Sequence, residues 1–350
     1  MKVADFDYHL PDELIALRPA SPRDSARLLV AGDTLTDHTV RDLPSLLRAG
    51  DLLVFNDTRV IPARLLGNRG DVKVEVLLHK PLRTSSCEAS GEAGWECYAK
   101  PAKRLKEGQD IVFSDALSAR VISKDVAAGT MVLQFSLSGD AFREELEVLG
   151  SMPLPPYIAR HTDAADRHDY QTMFAAHEGS VAAPTASLHY TPALMDALRA
   201  AGIDWCTITL HVGAGTFMPV RVDDTDNHIM HSERYNVSAE AADKINTARA
   251  AGKRIIPVGT TAMRTLESIA TDDGMVTAGA GETRLFITPG YRFKICNALL
   301  TNFHLPKSTL LMLVSAFVGT ARARDIYAHA IAKKYRFYSY GDTSLLLPTE

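Results

Sequence analysis

With 350 residues, the chain is too long for one small module and has room for two domains of ordinary size. Its hydrophobic fraction of 46% and charged fraction of 23% exclude collagen, coiled coil and wholesale disorder. The 38 basic and 42 acidic side chains leave a net charge of -4, so any polyanion site must be a local patch rather than a generally basic surface.

The first residues, MKVADFDYHLPDELIA, carry Asp5, Asp7, Asp12 and Glu13 where a signal peptide needs an apolar core. No apolar run of about 18 residues follows, which predicts a cytoplasmic, soluble protein with no membrane partner. The cysteines (Cys87, Cys97, Cys206, Cys296) are widely spaced and form no CxxC pair. Inert thiols are expected, not a zinc ribbon or a disulfide framework.

An apolar strand, Asp51 to Phe55 (DLLVF), opens the folded pattern and runs into NDTRVIPAR. There Asp57 is flanked by Arg59 and Arg64, a set suited to anion or nucleotide contact and equally to a structural ion pair. From about 67 to 150 the runs VKVEVLL, DIVF, ARVIS and MVLQFSL are short and β-rich, with one helical pattern, AFREELEVL, at the end. Thr84 to Gly94, small and polar, is the expected flexible loop, and Lys100, Lys103, Arg104 and Lys106 make a basic cluster.

Beyond this β-rich stretch helices and strands alternate. Thr191 to Ala201 begins with a capping Thr and ends at Gly202, then leads into the strand Ile203 to Leu210. A helix capped by Ser238 and ended by Gly252 precedes the strand Arg254 to Val258. The helix Thr260 to Ile269, the strand Thr283 to Thr288 and a helix from about Ser308 to Phe317 complete the series. This alternation predicts an α/β fold: a layered α/β main domain with a largely parallel sheet and an inserted small β domain. Residues 1–66 plus 151–350 would form the α/β catalytic domain, and 67–150 the insertion.

Polar clusters gather where the strands end. In His211-Val-Gly-Ala-Gly-Thr-Phe217 the glycines Gly213 and Gly215, with Thr216, admit a close ligand, although a tight turn uses glycine too. Gly259, Thr260 and Thr261 open a helix after a buried strand, a natural anion site, with Arg264 and Glu267 one turn apart on that helix. His228, His231 and Glu233 lack helical metal-ligand spacing, so no metal is expected there; His231 and Glu233 stay acid–base candidates. Asn302-Phe-His-Leu-Pro-Lys-Ser308 places His304 before a helix start. Finally, Lys333, Lys334, Tyr335, Arg336, Phe337 and Tyr340 mix cations with rings, the composition either of single-stranded RNA contact or of a strand with its aromatics in the core.

Taken together, DLLVFNDTRVIPARLLG, GSVAAPTASLHYT, TLHVGAGTF, MHSERY, PVGTTAMRTLES, LLTNFHLPKSTLLMLVSAFVG and YRFYSYGD resemble the S-adenosylmethionine:tRNA ribosyltransferase-isomerase family of queuosine biosynthesis, in order and over essentially the whole chain. The resemblance implies that the inserted domain is a β-barrel and that the cosubstrate is S-adenosyl-L-methionine. It further implies that the ribosyl moiety is transferred to the aminomethyl group of 7-aminomethyl-7-deazaguanine at the wobble position of tRNA with a GUN anticodon, giving epoxyqueuosine-tRNA, adenine and methionine. Ser187 and Tyr190 depart from the family's usual Gly and Phe.

Such chemistry needs a base beside the carbon next to sulfur, an acid beside the departing adenine and a neutral attacking amine. The candidates are His189, His211, His231, Glu233 and His304. S-adenosylmethionine is assigned to Gly213, Gly215, Thr216, Gly259, Thr260, Thr261, Arg264 and Glu267. The tRNA is assigned to Asp57, Arg59, Arg64, Lys100, Lys103, Arg104, Lys333, Lys334, Tyr335, Arg336, Phe337 and Tyr340. A monomer is expected. The competing classes are an RNA-binding module without chemistry and an S-adenosylmethionine-dependent methyltransferase; the latter prefers a glycine-rich first strand-to-helix turn and an acidic residue at the next strand end, and neither stands out in this chain.

Overall fold

The computed structural model describes residues 1–82, 93–213, 215, 220 and 222–348. Its central element is the strand Leu52–Asn56, which lies parallel to Ile255–Pro257 on one side and to Asp204–His211 on the other. Every residue of this strand is buried. Leu52 and Val54 face one core cluster while Leu53 and Phe55 face another, so a continuous apolar run here means a sheet covered on both sides.

Antiparallel strands Glu233–Val237 and Gly279–Thr283 extend the sheet beyond Asp204–His211 to five strands. The sheet is therefore mixed rather than largely parallel. The expected strand Thr283 to Thr288 sits four residues earlier: Gly281 packs where a Cβ would lie 2.5 Å from the Tyr235 hydroxyl. Close approach to that ring, not apolar alternation, selects this glycine-rich edge.

A second sheet runs in the order Leu299–Asn302, Thr343–Leu346, Arg27–Ala31 and Leu35–Thr39. It joins the first through the bridge between Val258 and Leu300. Helices Ala239–Ala250, Thr260–Ile269, Thr309–Val318 and Thr320–Ala332 cover one face, and Pro192–Ala200 the other. Thr191 and Ser238 cap their helices as expected, accepting from the amides of Leu194 and Ala241 at 3.2 and 3.1 Å.

The β-rich stretch closes into a six-stranded antiparallel barrel made of Arg64–Arg69, Val72–Leu82, Ala93–Lys100, Asp110–Val112, Ser118–Asp125 and Thr130–Phe135. Val74, Val76, Leu78, Cys97, Met131 and Leu133 fill it, and Phe142 and Leu146 of the helix Gly139–Leu149 join the same core. Most of the expected loop Thr84 to Gly94 lies outside the described residues, while its last two positions already belong to a barrel strand. Cys97, Cys206 and Cys296 are free and buried, and burial pushes each thiol up.

Candidate functional site

Where the three parallel strands end, their polar residues meet. Asn56 Nδ2 donates to the Leu210 carbonyl at 2.9 Å, and Asn56 Oδ1 accepts from the Leu210 and Thr58 amides at 3.0 and 3.1 Å. The same amide nitrogen reaches the Thr261 hydroxyl at 3.4 Å, which ties the first strand to the start of the Thr260–Ile269 helix. An asparagine in a buried strand is therefore fully employed in fixing neighbouring strand ends. Asp57, also buried, accepts from the Thr209 hydroxyl at 2.7 Å.

His211 ends its strand half-buried, with Nδ1 2.8 Å from the Thr58 hydroxyl. Burial, then the nearby Arg234 and His177 charges, bring its pKa down to about 4 against the pull of Asp57. The imidazole is thus neutral at working pH, and Nε2 is the nitrogen left for a substrate.

Beside it lies a buried ion pair. Arg264 Nη1 donates to Glu233 Oε2, Nε donates to the Leu285 carbonyl at 3.0 Å, and Nη2 has no partner among the described residues. Glu267 is not part of this pair. Its carboxylate accepts from the amides of Lys294, Ile295 and Cys296 at 2.8, 3.3 and 3.1 Å, so its role is to hold residues 294–296. Ligand contact by Glu267 is thereby displaced by a structural function that helical spacing alone could not reveal. Gly259 has φ +98° at the helix N-cap, a conformation that favours glycine, and leaves the first-turn amides of Thr260 and Thr261 open to an anion.

The remaining histidines divide. His189 hydrogen-bonds Asn302 Oδ1 at 2.9 Å inside the protein, and burial lowers its pKa. His304 sits 2.9 Å from the Thr301 hydroxyl, with its backbone held between the Tyr8 and Tyr327 hydroxyls, and burial brings its pKa down to about 3. Both are locked in core networks rather than poised at an opening. His231 is exposed, its ring edge-on to His79 of the barrel at 5.7 Å. His79 was not signalled by the sequence, where it is a single histidine in a β run.

A neutral buried imidazole must take up a proton when the chain unfolds in acid. His304 therefore contributes stability above its ordinary pKa of 6.5 that is lost as pH falls toward 3, at about 1.4 kcal/mol per pH unit over that window. Thermal melts between pH 7 and 4 should show a shallower acid loss for His304→Gln than for the unchanged chain. Equal slopes would remove His304 as the source.

The tRNA candidates also divide. Lys100, Lys103, Arg104, Lys333 and Lys334 are exposed, as is Arg59, which faces Glu178 at 3.9 Å. Arg64 is half-buried, donating to the Leu154 carbonyl at 3.2 Å, and Arg336 pairs with buried Asp342 at 3.2 Å. Tyr335, Phe337 and Tyr340 are at most 1% exposed. This corrects the stacking assignment: the rings belong to the core, because Phe337 packs on Phe303 at 5.0 Å and Tyr340 on Tyr170 at 5.9 Å. Thr216 lies outside the described residues. Both departures from the family pattern leave a buried hydroxyl without a partner among the described residues, on Ser187 and on Tyr190. No group of three or more His, Cys, Asp or Glu among the described residues is arranged to hold a metal, and no described helix is long and apolar enough to cross a membrane.

Residues 3–346 match the family model described as queuosine biosynthesis protein. Among curated relatives, an S-adenosylmethionine:tRNA ribosyltransferase-isomerase of Maricaulis maris is 56% identical, with 99% of each chain covered. The protein of the same name from Rhodospirillum rubrum is 55% identical over 100% of this chain and 99% of its own. A crystal structure of S-adenosylmethionine tRNA ribosyltransferase from Thermotoga maritima is 34% identical and aligns with a TM-score of 0.56, covering 98% of this chain and 100% of that one.

Proposed function

The chain belongs to the queuosine biosynthesis protein family, and from that premise we propose how its residues move the ribosyl part of S-adenosylmethionine onto a tRNA base. The acceptor is the aminomethyl group of 7-aminomethyl-7-deazaguanine at the wobble position, and the products are epoxyqueuosine-tRNA, adenine and methionine. A carbon–nitrogen bond forms from the amine to the sugar carbon that loses adenine. The same carbon gives up its bond to the ring oxygen and joins the carbon that loses sulfur, and the freed oxygen bonds to that second carbon as the epoxide. The bonds to adenine and to sulfur break with their electron pairs, the latter neutralising the sulfonium. One proton leaves the carbon beside the sulfonium and one the attacking amine, of which one reaches the departing adenine and the other goes to solvent.

His211 is the base in this reading. The carrying observation is a neutral imidazole at a strand C-terminus, oriented through Nδ1 by the Thr58 hydroxyl, which leaves Nε2 to take the proton. The methionine carboxylate of the cosubstrate sits on the amides of Thr260 and Thr261, with Arg264 Nη2 as a second donor. Asp57 and Glu233 supply negative charge suited to a sulfonium.

The exposed Arg59, Lys100, Lys103, Arg104, Lys333 and Lys334 take the tRNA phosphates, and the wobble nucleotide is splayed out of the anticodon loop. The acceptor base replaces guanine, which is consistent with tRNAs of GUN anticodon. We read the enzyme as a cytoplasmic monomer whose α/β part carries the chemistry; the insertion, expected over 67–150, begins by Arg64, where the first barrel strand starts.

His211→Asn should fold normally and lower kcat by about a hundredfold with little change in the KM for S-adenosylmethionine. Retention of the full turnover rate would remove His211 from the role of base.

A further inference from the structure

The two glycines after His211 face imidazole rings at close range. A Cβ on Gly213 would lie 2.6 Å from His79 Cε1, and one on Gly215 would lie 2.5 Å from His231 Cδ2, both nearer than real carbon contacts allow. The two rings stand almost perpendicular, at 85°, with centroids 5.7 Å apart. One comes from the barrel strand Val72–Leu82 and the other from the chain just before Glu233–Val237.

Their chain neighbours are fastened to one group. Lys80, next to His79, lies 3.0 Å from Glu282, and Ser232, next to His231, donates to the other oxygen of the same carboxylate at 2.5 Å. Glu282 stands on the edge strand Gly279–Thr283, and these partners hold its carboxyl below the usual range, the Ser232 hydrogen bond first and Lys80 next.

We propose that His79 and His231 are positioning residues that clasp the chain after His211 at Gly213 and Gly215, with Glu282 as the fastener that sets the two rings at a fixed distance. Glycine is required at both positions because an imidazole occupies the space of each missing side chain. The barrel thereby takes part in shaping the S-adenosylmethionine site: if it shifts, the backbone that follows the base shifts with it. This rests on the proposed assignment of that backbone to the cosubstrate.

The test is a set of variants, Gly213→Ala, His79→Ala, their combination, and Glu282→Ala, whose exposed side chain makes loss of folding a remote outcome. Gly213→Ala should raise the KM for S-adenosylmethionine about tenfold by displacing the chain, and adding His79→Ala should restore most of it by removing the ring that the methyl strikes. Glu282→Ala should raise the same KM and speed hydrogen exchange of the Val212 and Gly213 amides in protein without substrate. Additive losses in the double variant, wild-type kinetics for Gly213→Ala, or unchanged exchange in Glu282→Ala would each overturn the clasp. The exchange measurement uses no substrate, so it decides the clasp even if the unchanged chain forms no epoxyqueuosine, a result that would instead overturn the functional reading.

Discussion

Arg264→Met is expected to destabilise the protein by about 3–5 kcal/mol, because it strands the Glu233 carboxylate in the interior without its cation. Arg264 and Glu233 are 5% and 8% exposed, so solvent cannot take over the lost interaction. Denaturant unfolding measures the loss. Adding Glu233→Gln to Arg264→Met should recover part of it, since a neutral amide is far easier to bury than an unpaired carboxylate. If the double variant is as unstable as the sum of the single ones, the pair is not coupled. Even where the double variant folds, S-adenosylmethionine binding should stay weak, because the Nη2 donor proposed for the methionine carboxylate is gone.

Phe337→Ala should cost about 3–5 kcal/mol by opening a cavity in the aromatic core. Its ring lies between Phe303 at 5.0 Å, Tyr327 at 6.2 Å and Tyr8 at 6.3 Å, and its backbone receives and donates hydrogen bonds with Ala16 and Leu14. The folded variant should bind tRNA as tightly as the unchanged chain. A stable variant with collapsed tRNA affinity would return Phe337 to the RNA surface.

That contrast shows where residue patterns carry information and where they do not. Lys333 to Tyr340 has the composition of an RNA contact, yet composition does not say which way a ring points. The rings turn inward because the chain after the Thr320–Ala332 helix passes between Phe303 and Leu14 on its way to the strand Thr343–Leu346. The helix itself is legible as Ala323, Ile326, Tyr327 and Ala330 on one buried face, but it was masked by the strongly apolar helix before Gly319. The barrel runs, the capped helices and the strand ends could be read because each depends on local period or on a cap.

The site was legible in part. His211 and Gly259 lie at strand ends and Arg264 in the helix that follows, where the α/β pattern expects them, whereas Asn56 and Thr58, which organise those ends, look in sequence like ordinary turn residues. Glu267 could not be separated from a ligand contact, since its partners are backbone amides about 27–29 residues away. His79 reaches the site only because the barrel closes against it, which no spacing in the sequence records.

The most direct measurement is mass spectrometry of the small molecules and digested nucleosides after incubating the protein with S-adenosylmethionine and tRNA bearing 7-aminomethyl-7-deazaguanine. Epoxyqueuosine should appear together with equal amounts of adenine and methionine. Formation of S-adenosylhomocysteine, or unchanged tRNA with a folded protein, would overturn the assignment of ribosyl transfer to this chain.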